Sequence, residues 1–194
     1  MIPRSFFKTL CTVALVPVFS LLPLQADEIE DTISEALTKY KAGELSGAGG
    51  SLQYALNLLN EQKSKKVMEF IPATIGDWKG DEGKADSHGM LGGGFSVSRK
   101  FTNEKQSANV KITMDSPLIQ QMIGMLSNPM FAGQMGMKMR DIEGEKAMVN
   151  PKNGELSLVI NSTILVQVKG RDLGEEELLT LAKGLDVAGL KAMK

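Results

Sequence analysis

The chain has 194 residues, of which 42% are hydrophobic and 23% charged, a composition that supports a packed core and excludes a disordered chain. Its 22 basic and 23 acidic side chains nearly cancel, so nucleic acid, whose binders are usually strongly basic, has no global electrostatic attraction to it. The length fits one domain, or a domain with a small helical appendage.

Residues 1–26, MIPRSFFKTLCTVALVPVFSLLPLQA, have the pattern of an export signal. Arg4 and Lys8 give a charged start, and Leu10 to Leu24 form an apolar run broken by Pro17 and Pro23. Ala26 then supplies the small residue needed at a cut before Asp27. The run falls short of the ~20 residues a spanning helix needs. The expectation is therefore a cleaved signal, a periplasmic or otherwise secreted protein, and no stable membrane insertion after cleavage. Removal leaves 20 bases against 23 acids, a net charge of −3. It also removes Cys11, the one cysteine, so disulfides, thiolate metal sites and cysteine nucleophiles are excluded from the mature chain. Cys11 follows Lys8-Thr9-Leu10 rather than small residues, which argues against lipidation.

Residues 27–68 read as a helical hairpin. Ile29, Ile33, Ala36, Leu37 and Tyr40 recur at helical spacing, as do Leu52, Ala55, Leu56 and Leu59, with Gly43 at the turn. Gly47, Gly49 and Gly50 each weaken the start of the second helix by nearly 1 kcal/mol relative to alanine. Lys63, Lys65 and Lys66 offset the negative end of its dipole. Such a hairpin either docks its apolar stripe on the following domain or offers it to another protein.

From about Pro72 the texture changes to strands and turns. Phe95, Val97 and Phe101 alternate with Ser96, Ser98 and Lys100, and Ala108, Val110, Ile112 and Met114 alternate likewise. Joined by Thr102–Ser107, they predict a hairpin with one wet face. Ser116-Pro117 starts a helix whose apolar side holds Leu118, Ile119, Met122, Ile123 and Leu126, and Asn128-Pro129 ends it. Strands follow at 138–142 and 146–150 around Gly144, then at 155–160 and 163–168 around Asn161-Ser162. Pro151-Lys152-Asn153-Gly154 forms a tight turn. Glu175-Glu176-Glu177 opens a last helix, with Leu178, Leu179, Ala182 and Leu185 on its buried side. The order predicts an α+β fold: the helical hairpin, then residues 69–194 as an antiparallel sheet covered by helices.

Two resemblances accompany this reading. Ala36, Tyr40, Gly43, Ala48, Leu52, Ala55 and Leu56 are spaced like the signature positions of one tetratricopeptide repeat, within residues 30–60. The strand and helix order over 72–194 resembles the PsbP-like sheets of exported accessory proteins, an architectural likeness that implies no site. The whole chain has the look of exported proteobacterial proteins. The last of these likenesses implies an exported location and no activity.

Conventional catalysis is poorly supplied. His88 is the only histidine, beside Gly89, and no Gly-x-Ser-x-Gly elbow offers a nucleophile. Gly89-Met-Leu-Gly92-Gly93-Gly94 leads into a strand rather than opening a helix, so it lacks the geometry of a phosphate loop. Asp81, Glu82 and Asp86 lack the oxygen spacing of a calcium loop and read as a solvated turn. Methionine is the compositional excess. Seven of the twelve lie in 114–139: Met114, Met122, Met125, Met130, Met135, Met137 and Met139. Thioethers select Cu(I), so Met135, Met137 and Met139, with His88 and Met90, form a candidate soft-metal site. They equally suit an adaptable core or contact surface.

The expectation for function is a non-catalytic exported accessory or adaptor protein, with no cofactor, that binds an envelope protein. Its candidate contact residues are Tyr40, Tyr54, Trp78, Met130 and Phe131, with Trp78 able either to cap the sheet or to anchor an interface. The alternative is a periplasmic Cu(I)- or small-ligand-binding protein using the Met-rich segment.

Overall fold

Alternation along the strands decides which face of the sheet is buried. In a computed structural model, which describes residues 24–87, 94–126, 133 and 136–193, the helical hairpin is α1 (Leu24–Lys41) and α2 (Leu45–Glu69). Three short strands follow, β1 (Thr74–Ile75), β2 (Trp78–Gly80) and β3 (Lys84–Ser87), and then the long pair β4 (Phe95–Thr102) and β5 (Ser107–Met114). After α3 (Leu118–Leu126) come β6 (Lys138–Ile142), β7 (Glu145–Asn150), β8 (Glu155–Ile160) and β9 (Ile164–Gly170). Helices α4 (Glu175–Lys183) and α5 (Val187–Ala192) complete the order. The chain is an α+β fold, with a nine-stranded antiparallel sheet in the order β1-β2-β4-β5-β9-β8-β7-β6 and β3 also paired to β4.

One row of side chains runs through Val97, Ile112, Val166, Leu158 and Ala147 on successive strands. All five are buried. Leu178, Leu181 and Ala182 of α4, Val187 and Leu190 of α5, and Val67 and Ile71 at the end of α2 join this core. The β6–β7 connection turns at Glu143-Gly144 with positive φ at both residues, 53° and 84°, the twist that suits a two-residue hairpin.

Several expectations are corrected. The wet face of the β4–β5 hairpin is wet only in part. Ser96 and Thr113 are buried, at the end where Ile119 of α3 packs with Met148, Val159 and Leu165. Leu181 takes the fully buried place on α4 and Leu179 is half-buried. Helix α5 was not expected, although Asp186 marks its start by accepting from the Gly189 N–H at 2.8 Å. Asp86 lies in β3 opposite Ser96 rather than in a turn. Asp81 fills the gap between β2 and β3. Its N–H donates to the Lys100 carbonyl, and its carboxylate accepts from the Lys100 and Gly83 N–H groups. A side chain there completes the ladder that the broken edge leaves open.

Among the described residues, the hairpin meets the sheet through the end of α2. Helix α2, ~37 Å long at 1.5 Å per residue, runs unbroken through Gly47, Gly49 and Gly50 and reaches the sheet in its last turns. There Met68 packs against the core beside Val67. The Arg99 guanidinium donates to the Ile71 carbonyl, and the Asp186 N–H donates to the Phe70 carbonyl at 3.1 Å. Lys63, expected to serve the helix end, lies well before Glu69 and instead pairs with Asp115 at 3.0 Å.

Candidate functional site: an apolar face on the helical hairpin

Gly43, at φ +81°, turns the chain so that α1 and α2 run antiparallel. Apart from Ile29, their mutual contact is built from small residues. Ile29, Thr32 and Ala36 of α1 and Ala48, Ser51 and Ala55 of α2 are buried. Small side chains let the two backbones approach closely, and they leave the larger apolar groups outside. Ile33, Leu37, Tyr40, Leu45, Leu52, Leu56 and Leu59 are 39 to 68% exposed. The stripe that sequence spacing treats as one face is thus divided between an inner row of small residues and an outer row of large ones.

Helical geometry fixes where the outer rows point. At 100° per residue, 33-37-40 lies about 75° around α1 from its contact with α2, and 45-52-56-59 lies about 75° around α2 in the same sense. Because the helices are antiparallel, equal rotations of the same sense bring both rows to one side of the hairpin. The result is a continuous two-helix apolar face. The opposite side is polar: Lys39 bonds Glu35 at 2.7 Å and Ser51 at 3.1 Å, and the Tyr54 hydroxyl donates to Glu28 at 2.8 Å. The Lys39 ammonium, mainly through its hydrogen bond, holds the Glu35 carboxyl below its ordinary range. The Glu28 carboxylate, again mainly through the hydrogen bond, holds the Tyr54 phenol above its own.

The expected contact residues therefore separate. Tyr40 belongs to the apolar face, at 64% exposed. Tyr54 lies on the polar side, tied to Glu28. Trp78 is only 4% exposed and packs in the main core, which makes it a cap of the sheet. Met130 and Phe131 lie outside the described residues, as do His88, Met90 and Met135 of the candidate copper set and nearly all of the signal. Met137 and Met139 are half-buried against Ile119, Met148, Val159 and Leu165, which gives both thioethers a packing role. Leu45 was missed by sequence reasoning. It stands seven residues before Leu52, and residues 45–60 carry no charge, two signals that extend the stripe to the turn.

Elsewhere the surface offers less. A polar cleft of about 750 Å³ lies beside the β1–β2 and β4–β5 turns, with Asp77, Lys79, Glu104 and Lys105 on its walls. Glu175, at the start of α4, pairs with Lys138 at 2.6 Å and with Arg140. The Lys138 hydrogen bond, with those of Arg140, keeps its carboxyl below the ordinary range against a smaller opposing effect of burial. Among the described residues no group of three or more His, Cys, Asp or Glu is placed to hold a metal, and no helix is long and apolar enough to cross a membrane. No protein-family model, curated protein or solved structure matches the chain.

Proposed function

We propose that this chain is a non-catalytic accessory or adaptor protein, exported to the periplasm, that acts by binding protein through the α1–α2 face. One observation carries the reading. Among the described residues, every exposed large apolar side chain lies on the hairpin and none lies on the sheet unit. Scattered single leucines are ordinary on a surface, whereas a contiguous patch of several hundred Å² marks a contact site. The export pattern of residues 1–26 supports the location. The lone His88 and the missing nucleophile elbow support a role without catalysis.

The test is affinity capture with crosslinking in the native envelope, comparing the wild type with a Leu37→Asp/Leu56→Asp variant. Both positions are exposed, so the variant keeps its circular dichroism spectrum. It is expected to lose a protein that the wild type captures. A variant that retains every captured protein refutes the role of this face.

A further inference from the structure

Resting on the reading of the α1–α2 face as a protein-binding surface, we infer that its occupant is a second copy of this chain, packed hairpin on hairpin as an antiparallel four-helix bundle. The face is self-complementary. On α2, Leu45 and Leu59 each lie seven residues from Leu52; on α1, Ile33 and Tyr40 flank Leu37 at four and three. A Cβ added at Gly47 would lie 3.2 Å from the Lys39 side chain, so Lys39 stands beside Gly47 and, in antiparallel helices, Leu52 stands level with Ser34, one residue from Ile33. A two-fold axis crossing both helices at that height sets Leu52 against Leu52 of the second copy, Leu45 against Leu59, and Ile33 beside Ile33. These spacings are the three-four repeat by which helices interlock.

The same axis accounts for a glycine that nothing within the chain requires. Gly49 continues the seam between Leu45 and Leu52, and an added Cβ there meets nothing within 4 Å. Leu56 of the second copy falls over this hollow. Charge agrees as well. The uncharged stretch 45–60 allows the two α2 helices to meet without like-charge repulsion.

The area is sufficient. Seven half-exposed large side chains amount to roughly 700 Å² per copy, on ~200 Å² for each when free. A stable dimer needs about 800 Å² per partner, and the flanking residues supply the difference. Because α2 enters the sheet at the open end of the hairpin, the two sheet units lie at opposite ends of the bundle.

Sedimentation velocity and cysteine crosslinking of the purified protein test this inference. A dimer is expected, and Leu52→Cys, on the axis, is expected to form an intermolecular disulfide under mild oxidation while Asn57→Cys, turned away from the face, does not. A monomeric wild type in which Leu52→Cys fails to crosslink overturns the second copy as occupant. If that monomer still captures an envelope protein that Leu37→Asp/Leu56→Asp loses, the protein-binding reading of the face stands. If it captures nothing, both fall.

Discussion

Gly184→Ala separates local preference from packing because the two predict opposite signs. Gly184 caps α4 with φ −78° and ψ −5°, a conformation open to every residue. On backbone grounds alone alanine should stabilise by about 0.4–1 kcal/mol through the unfolded chain. The added Cβ would, however, overlap the Cγ2 methyl of Ile75 and lie 3.0 Å from its Cγ1. Ile75 is buried in β1, paired with Trp78, and has little room to yield. Overpacking of this kind costs about 1–3 kcal/mol. For a chain of this size the melting temperature should fall by roughly 3–10 °C. Urea denaturation should show the same loss at an unchanged slope. In an Ile75→Ala background Gly184→Ala should cost less than in the wild type, since the two sites are in contact and couple. A neutral or stabilising Gly184→Ala would refute the close seating of the α4 end on β1. Gly50→Ala is the internal comparison. It lies on α2 with no heavy atom within 4 Å of the added Cβ, and it should stabilise by about 1 kcal/mol.

Two further predictions concern protonation. The Glu175 carboxyl is held below its ordinary 4.5 in the folded chain, so its contribution is present above that value and is lost as pH falls through the folded one. The stability gap between wild type and Glu175→Gln should therefore be open at neutral pH and close in acid, as read by chemical denaturation across pH; a gap that persists in acid contradicts the pairing with Lys138 and Arg140. Tyr54 is held above its ordinary 10.0, so the contribution of its bond to Glu28 is present below pH 10 and is lost as pH rises through the folded value. In a Tyr40→Phe background, where Tyr54 is the only tyrosine left, ultraviolet titration should place its ionisation above 10, and Glu28→Gln should lower it.

Period and punctuation carried much of the fold in the sequence itself. Alternation at 95–101 and 108–114, the turn residues near 144, 154 and 161, the Ser116-Pro117 start and the acidic run at 175 are local signals. Each fixes an element without reference to distant residues, and the α+β order followed from them. Helical spacing also marked Ile33, Leu37, Tyr40, Leu52, Leu56 and Leu59 as apolar. What spacing could not decide was the side of the helix on which each would be buried. That depended on the close approach of α1 and α2 through Ala36, Ala48, Ser51 and Ala55, which places the large residues outside. The short strands β1, β2 and β3 have too few residues to show a period. They exist because β4 offers an edge, and Asp81 completes it. Trp78 was equally undetermined, since an indole suits a core or an interface and only the pairing of β2 with β4 set it inside. Composition and local pattern thus determined the elements and the apolar inventory of this protein. The tertiary structure decided which apolar groups it buries and which it leaves exposed, because that choice is made by contacts between residues far apart in the chain.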